Sequence, residues 1–137
     1  MKSFRHSFCD PFKPEIIELG DVGSQEIIKR FEQLPWDDII SKMAKVDDSE
    51  IYFSPSLEFT DKITKHGLSI SGVGTTSLEE FYVFYQRPKQ VKKLFGLLRY
   101  TDSEFTTDVT GQTKEDAIEA LQALIDGNYE FLDSKIK

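Results

Sequence analysis

The residue types that most often carry chemistry are sparse in this chain. It holds one cysteine and two histidines. Cys9 lies three residues after His6, a spacing that allows a thiolate–imidazole pair, but we expect no ordered element there to hold the two side chains in geometry. Neither histidine has neighbours at the spacing of a zinc motif. We therefore expect no catalytic nucleophile, no metal site and no cofactor.

Carboxylates and glycines are more abundant, but their patterns are weak. The doublets Asp37-Asp38, Asp47-Asp48 and Glu79-Glu80 lack the ligand spacing of a calcium loop. The loop at 72–77 has glycines and hydroxyls but no P-loop lysine and no following helix, so we expect a hairpin loop rather than an anion nest. An enzyme that uses dispersed carboxylates, such as Glu58 or the Glu79-Glu80 pair, is the third hypothesis for function.

Charge is distributed unevenly along the chain. Seventeen Lys and Arg stand against 24 Asp and Glu, which gives a net charge of −7. Residues 51–100 carry seven basic and four acidic groups, whereas residues 101–137 carry three and nine. Because phosphate neutralisation supplies most of the affinity for nucleic acid, an acidic chain of this kind is not expected to bind it.

The positive charge of the middle region is concentrated in one segment. Its cations and the nearby tyrosines are the candidate binding residues for an anion or an acidic partner: Tyr82, Tyr85, Arg87, Lys89, Lys92, Lys93 and Arg99. The alternative is an exposed hairpin whose lysines discourage pairing between sheet edges of different molecules.

Hydrophobic periodicity changes from helical to alternating after Glu50. Before it, apolar residues at helical spacing predict two short helices joined at Leu34-Pro35, because proline disfavours a helical residue before it and suits the start of the next helix. After it, alternating residues predict strands, one with Pro55 in its interior. We expect turns at Arg87-Pro88-Lys89 and Thr101-Asp102-Ser103.

The C-terminal helix has the strongest local signals. Thr113 and Asp116 have the spacing of a capping box, and Gly127 stands where a helix ends. The predicted class is α+β, with two short N-terminal helices, an antiparallel β-meander of four to five strands and a C-terminal helix packed on the sheet. We interpret residues 1–137 as a single domain, with residues 1–23 as an irregular N-terminal arm.

The predicted central strand, 81–85, is apolar or aromatic on both faces. The helices are expected to cover one face, so something else must cover the other. We favour the N-terminal arm with Phe4, Phe8 and Phe12, and the alternatives are a protein partner or a small apolar ligand.

Three functional classes remain from these observations. The favoured one is a small, acidic, non-catalytic protein-interaction domain, like inhibitors, immunity proteins or chaperones, that binds another protein or forms a homodimer. The first alternative is a domain that binds a small apolar or anionic ligand in an aromatic-lined pocket. Since no apolar run reaches the length of a membrane span or a signal peptide, we expect a cytoplasmic protein with no membrane partner.

Overall fold

The computed structural model describes residues 2–93 and 98–137, and the side chains of residues 89–93 and 98–104 lie outside its description. The strands are β1 (Ser3–Cys9), β2 (Ile17–Gly23), β3 (Ser56–Asp61), β4 (Gly67–Val73), β5 (Glu80–Lys93) and β6 (Leu98–Gln112). The helices are α1 (Ile27–Gln33), α2 (Trp36–Met43), α3 (Lys114–Asp126) and α4 (Tyr129–Lys135). The α+β class, the two short N-terminal helices and the C-terminal helix on the sheet are confirmed.

The strands form one antiparallel sheet in the order β2-β1-β3-β4-β5-β6. The four strands from β3 to β6 are a meander, as expected from the alternating pattern. The sheet has six strands rather than four to five, because the N-terminal segment adds two more at one side.

The expectation of an irregular arm over residues 1–23 is therefore wrong. Strand β1 pairs with β2 on one side and with β3 on the other, so the sheet takes up its backbone hydrogen bonds. Phe4 and His6 are buried, while Arg5 between them is exposed. The N-terminal segment adds two strands at one side of the sheet and does not cover the face opposite the helices.

The hairpin of β5 and β6 also differs from expectation. The strands have 14 and 15 residues, about twice the length of the other strands. Pro88 lies at a register shift between the pairs Arg87↔Phe105 and Lys89↔Asp102. Such a bulge accommodates a residue that has no N–H, so the chain continues as a strand where we predicted a turn. The predicted turn at Thr101-Asp102-Ser103 likewise lies within β6.

Strand β3 begins at Ser56, directly after Pro55. The prediction of a strand with Pro55 in its interior is wrong for a physical reason. Because β3 pairs with β1 and with β4, a residue without an N–H would break a ladder.

Helix α3 packs its apolar stripe against the sheet. Thr113 Oγ1 accepts a hydrogen bond from the Asp116 N–H at 3.1 Å, and the Asp116 carboxylate accepts from the Thr113 N–H at 3.0 Å. Gly127 ends the helix with a φ of 68°, a left-handed conformation that favours glycine. The buried residues of the stripe are Ala117, Ala120, Leu121, Ala123 and Leu124.

The two faces of the sheet have different surroundings. On β5, Phe81, Val83 and Tyr85 are buried in the core, whereas Tyr82 and Phe84 are half-buried on the opposite side. We call the side under the helices the inner face and the other the outer face. In the described part of the chain, the outer face stays in contact with solvent.

Substituting Leu121 tests the helix packing. Leu121→Asp places an unpaired carboxylate in the core, and we expect a loss of at least about 4 kcal/mol in the free energy of unfolding. Gln122→Asp adds the same charge at the exposed neighbouring position, where it replaces a hydrogen bond to Asp126 with repulsion between carboxylates, and should lower stability by no more than about 1 kcal/mol. Urea unfolding followed by circular dichroism measures both, and equal midpoints would contradict the packing of α3.

Candidate functional site

Three of the seven predicted binding residues have described side chains. Tyr85 and Arg87 point to the inner face, and Tyr82 points to the outer face. The structure thus joins Tyr85 with Arg87 and separates Tyr82 from both. The side chains of the other four lie outside the described part of the structure: Lys89, Lys92, Lys93 and Arg99.

Arg87 is the centre of a cluster at the end of the core. Its guanidinium lies over the ring of Tyr85, 4.2 Å from the centroid, and over that of Phe105, 4.7 Å away. Nη1 donates to the Tyr85 carbonyl at 3.0 Å and to Thr107 Oγ1 at 2.7 Å. Nη2 forms an ion pair with Asp133 at 3.2 Å. These contacts hold a buried cation in one orientation.

His66 joins the same cluster through Tyr85. Its Nδ1 lies 2.7 Å from the Tyr85 hydroxyl, and its ring stacks on Tyr129 at 3.7 Å between centroids. Burial raises the pKa of Tyr85, and the Asp133 charge adds to this effect. Burial is also the main cause of the lowered pKa of His66. At neutral pH the phenol therefore keeps its proton and the imidazole is neutral, and the two groups share a hydrogen bond whose donor is set by the His66 tautomer.

A cavity of about 530 Å³ opens beside the Arg87 cluster. This volume lies within the range of small-molecule pockets, about 300–1,000 Å³. The cavity is lined by His66, Tyr85, Arg87, Pro88, Phe105, Thr107, Asp133 and Lys137.

A second arrangement crosses the outer face, and the sequence analysis did not find it. The strand register aligns one residue from each strand in a continuous row, which we call the acidic row: Glu18, Ser7, Glu58, Ser69, Phe84 and Asp108. Three of its members are carboxylates, and Phe84 lies between Ser69 and Asp108. Only the pairing of distant strands brings these residues together, so no local spacing could have revealed the row.

The acidic row contains a small depression beside Phe84. It measures about 210 Å³, which is below the range of pockets for drug-sized ligands, about 300–1,000 Å³. Its lining residues are Glu58, Gly67, Leu68, Ser69, Phe84, Gln86 and Thr106. A Cβ atom at Gly67 would lie 2.7 Å from Thr60 Oγ1 and 2.9 Å from the Phe59 carbonyl, so this close strand approach requires glycine.

Glu58 is the carboxylate of this depression. Loss of water around it on the sheet surface raises its pKa, and the neighbouring charge of Glu18 acts in the same direction. Arg5 lowers the pKa but pairs with Glu18, at 3.3 Å. A cation that approached Glu58 would relieve this unfavourable carboxylate environment.

The other sequence candidates do not form sites in the described part of the chain. His6 points to the inner face and stacks on Phe59. Cys9 lies three residues further along β1, so its side chain points to the outer face and the two cannot form a thiolate–imidazole pair. The Thr75 N–H and hydroxyl in the glycine loop both donate to Glu79. Glu79 of the chain itself thus takes up these donors, so the loop between β4 and β5 does not present them as an anion nest.

No protein-family model, no curated protein and no solved structure matches this chain. Among the described residues, no group of three or more His, Cys, Asp or Glu side chains is placed to hold a metal ion. Within the same residues, the helices are too short or too polar to cross a membrane.

The neutral state of His66 gives a pH-dependent stability. Its unfolded pKa is near the ordinary value of 6.5 and its folded pKa is lower, so between the two the unfolded chain binds more protons. The stabilising contribution is complete above the unfolded pKa and is lost as the pH falls below it. The wild-type midpoint in urea should therefore decrease between about pH 7.5 and about pH 5.

His66→Asn tests this assignment, because the amide group can donate or accept a hydrogen bond with the Tyr85 hydroxyl and does not titrate. We expect a smaller decrease of the urea midpoint over the same pH range. His6, whose pKa burial also lowers, accounts for a remaining decrease. An unchanged pH dependence in His66→Asn would show that folding does not lower the pKa of His66.

Proposed function

We propose that this protein is a non-catalytic protein-interaction domain whose outer face binds a basic protein. In this proposal, a lysine or arginine side chain of the partner enters the depression beside Phe84. The observation that carries it is the acidic row, which places carboxylates and a half-exposed aromatic ring together on a face in contact with solvent.

The chemistry of the depression fits a long basic side chain. The aliphatic part of such a side chain can pack on Phe84, and its cation can lie near the ring face. Its charged end can reach Glu58, which is paired with Ser69 in the adjacent strand. Interface energy concentrates in a few anchored side chains, so one well-placed cation gives a shallow face its specificity.

The charge of the whole chain supports the same class of partner. A net charge of −7 produces a negative field that accelerates encounter with a basic protein, especially at low ionic strength. A cytoplasmic location is part of this proposal. The one cysteine, Cys9, has no second cysteine in the chain with which to form a disulfide, the bond that is common in oxidising compartments.

Charge reversal on the acidic row tests the proposal. Glu58→Lys combined with Asp108→Lys should abolish capture of a basic protein from an extract of the protein's own cells at about 50 mM salt. The wild-type protein should retain the same captured species at this salt and lose it at about 500 mM. Captured species are compared between variants by mass spectrometry.

A matched control separates the row from bulk charge. Glu32→Lys combined with Glu119→Lys makes the same change of net charge at exposed positions of α1 and α3. This control should capture the same species as the wild type. Equal loss of the captured protein in both double variants would show that only net charge matters. If the wild type is instead a homodimer that the acidic-row variant dissociates, the partner on the outer face is a second copy of this chain.

Phe84 is expected to anchor the partner. Phe84→Ala should weaken binding of the captured protein at least about tenfold, because the ring supplies the apolar surface of the depression. Tyr82→Ala removes an aromatic ring from the same face outside the depression and should weaken binding less than about threefold. Surface plasmon resonance measures both, and a larger effect at Tyr82 would contradict the assigned contact.

A further inference from the structure

The cavity beside Arg87 is independent of the acidic row. Its tyrosine and arginine belong to the inner face of β5, and Asp133 comes from α4. The protein-binding face proposed above uses the opposite side of the sheet. Ligand binding in this cavity would therefore be a second activity, separate from protein binding on the outer face.

The guanidinium in this cavity is prepared to bind a planar anion. Arg87 is only 7% exposed, and its contacts with Tyr85, Phe105 and Thr107 already fix its plane. Arginine that is held in this way loses little further conformational freedom when it binds. Nη1 already donates to the Tyr85 carbonyl and to Thr107, so a ligand carboxylate binds at Nη2, the nitrogen that now faces Asp133, through a charge-assisted hydrogen bond.

The charge of Arg87 is only partly balanced by its partner. The Asp133 side chain is 59% exposed and contacts the guanidinium through one oxygen, at 3.2 Å. Lys137 adds a second cation to the lining, and His66 is neutral at pH 7 because burial lowers its pKa. The described lining thus holds two cationic side chains and one carboxylate side chain, next to the rings of Tyr85 and Phe105.

We infer that this cavity binds a small organic carboxylate. The carboxylate group takes the position at the Arg87 guanidinium that Asp133 now holds, and Asp133 turns into the solvent that already surrounds it. The apolar part of the ligand packs between Phe105 and Pro88. A carboxylate suits the site better than a phosphate, because the Asp133 charge at the rim repels a dianion more strongly than a monoanion.

Benzoate and inorganic phosphate are suitable probes, each titrated into ¹⁵N-labelled protein and followed by NMR. Benzoate should shift the Arg87 side-chain signal and the amides around Phe105 and Thr107, with saturation in the range of about 1–10 mM. Phosphate should cause smaller shifts at the same concentration. The amides of the acidic row should not move.

Two charge variants separate a built site from general attraction of anions. Asp133→Asn removes the competing carboxylate and should tighten benzoate binding at least about fivefold. Asp126→Asn makes the same charge change on α3, outside the cavity lining, and should leave the affinity unchanged. Lys137→Glu should weaken it.

Three results would overturn the inference. The first is the absence of saturable shifts at Arg87 with benzoate in both the wild type and Asp133→Asn. The second is equal tightening by Asp133→Asn and Asp126→Asn, which would mean attraction by net charge alone. The third is binding of phosphate without binding of benzoate, which would assign the cavity to a different ligand class.

Discussion

The alternation of side chains along β5 separates the inner face of the sheet from the outer face. Successive side chains of a strand point to opposite faces, so Val83 and Tyr85 must enter the core while Tyr82 and Phe84 face outward. The helices bury the first set, and burial of this apolar surface supplies the main stabilising free energy. A slip of one residue in the register would exchange the two sets, so the core itself holds the outer face in place.

The row of buried side chains on the inner face of β5 is followed by the charged Arg87, which contacts the C-terminal part of the fold. Removing a guanidinium from water is costly unless its hydrogen bonds are replaced, and Arg87 replaces them with a carbonyl, a hydroxyl and a carboxylate. The Thr107 hydroxyl that accepts from Arg87 also donates to the Ile136 carbonyl at 2.7 Å. Arg87 thereby connects the sheet to α4 and to the residues after it.

The two proposed sites lie on opposite faces of the sheet and differ in charge, so each suits a different class of ligand. The outer face is shallow, acidic and spread over six strands, which suits a macromolecular partner. The inner cavity is concave and lined by aromatic rings and cations, which suits a small anion. Net charge alone describes neither, because it averages the acidic row with the Arg87 cluster.

Local signals in the sequence were sufficient for the α+β class and for helices α1, α2 and α3, whereas residues 128–137 were expected to be a tail and contain α4. Pro35 separates α1 from α2, and the capping box with Gly127 bounds α3, because these effects act within one helical turn. Arg87 and Tyr85 were selected as binding residues because a run of cations follows a strand that contains tyrosines. Their joint placement on the inner face was not predicted, because we expected a turn at Arg87-Pro88-Lys89 and only the bulge at Pro88 lets β5 continue through Arg87.

Tertiary structure alone decided how distant strands meet. Insertion of β1 between β2 and β3 depends on packing of Phe4 in a core built mainly by later residues. The acidic row exists only through pairings across all six strands, and Asp133 reaches Arg87 only after α4 has docked. Spacing along the chain does not encode such contacts, because their free energy comes from surfaces that first meet in the folded protein.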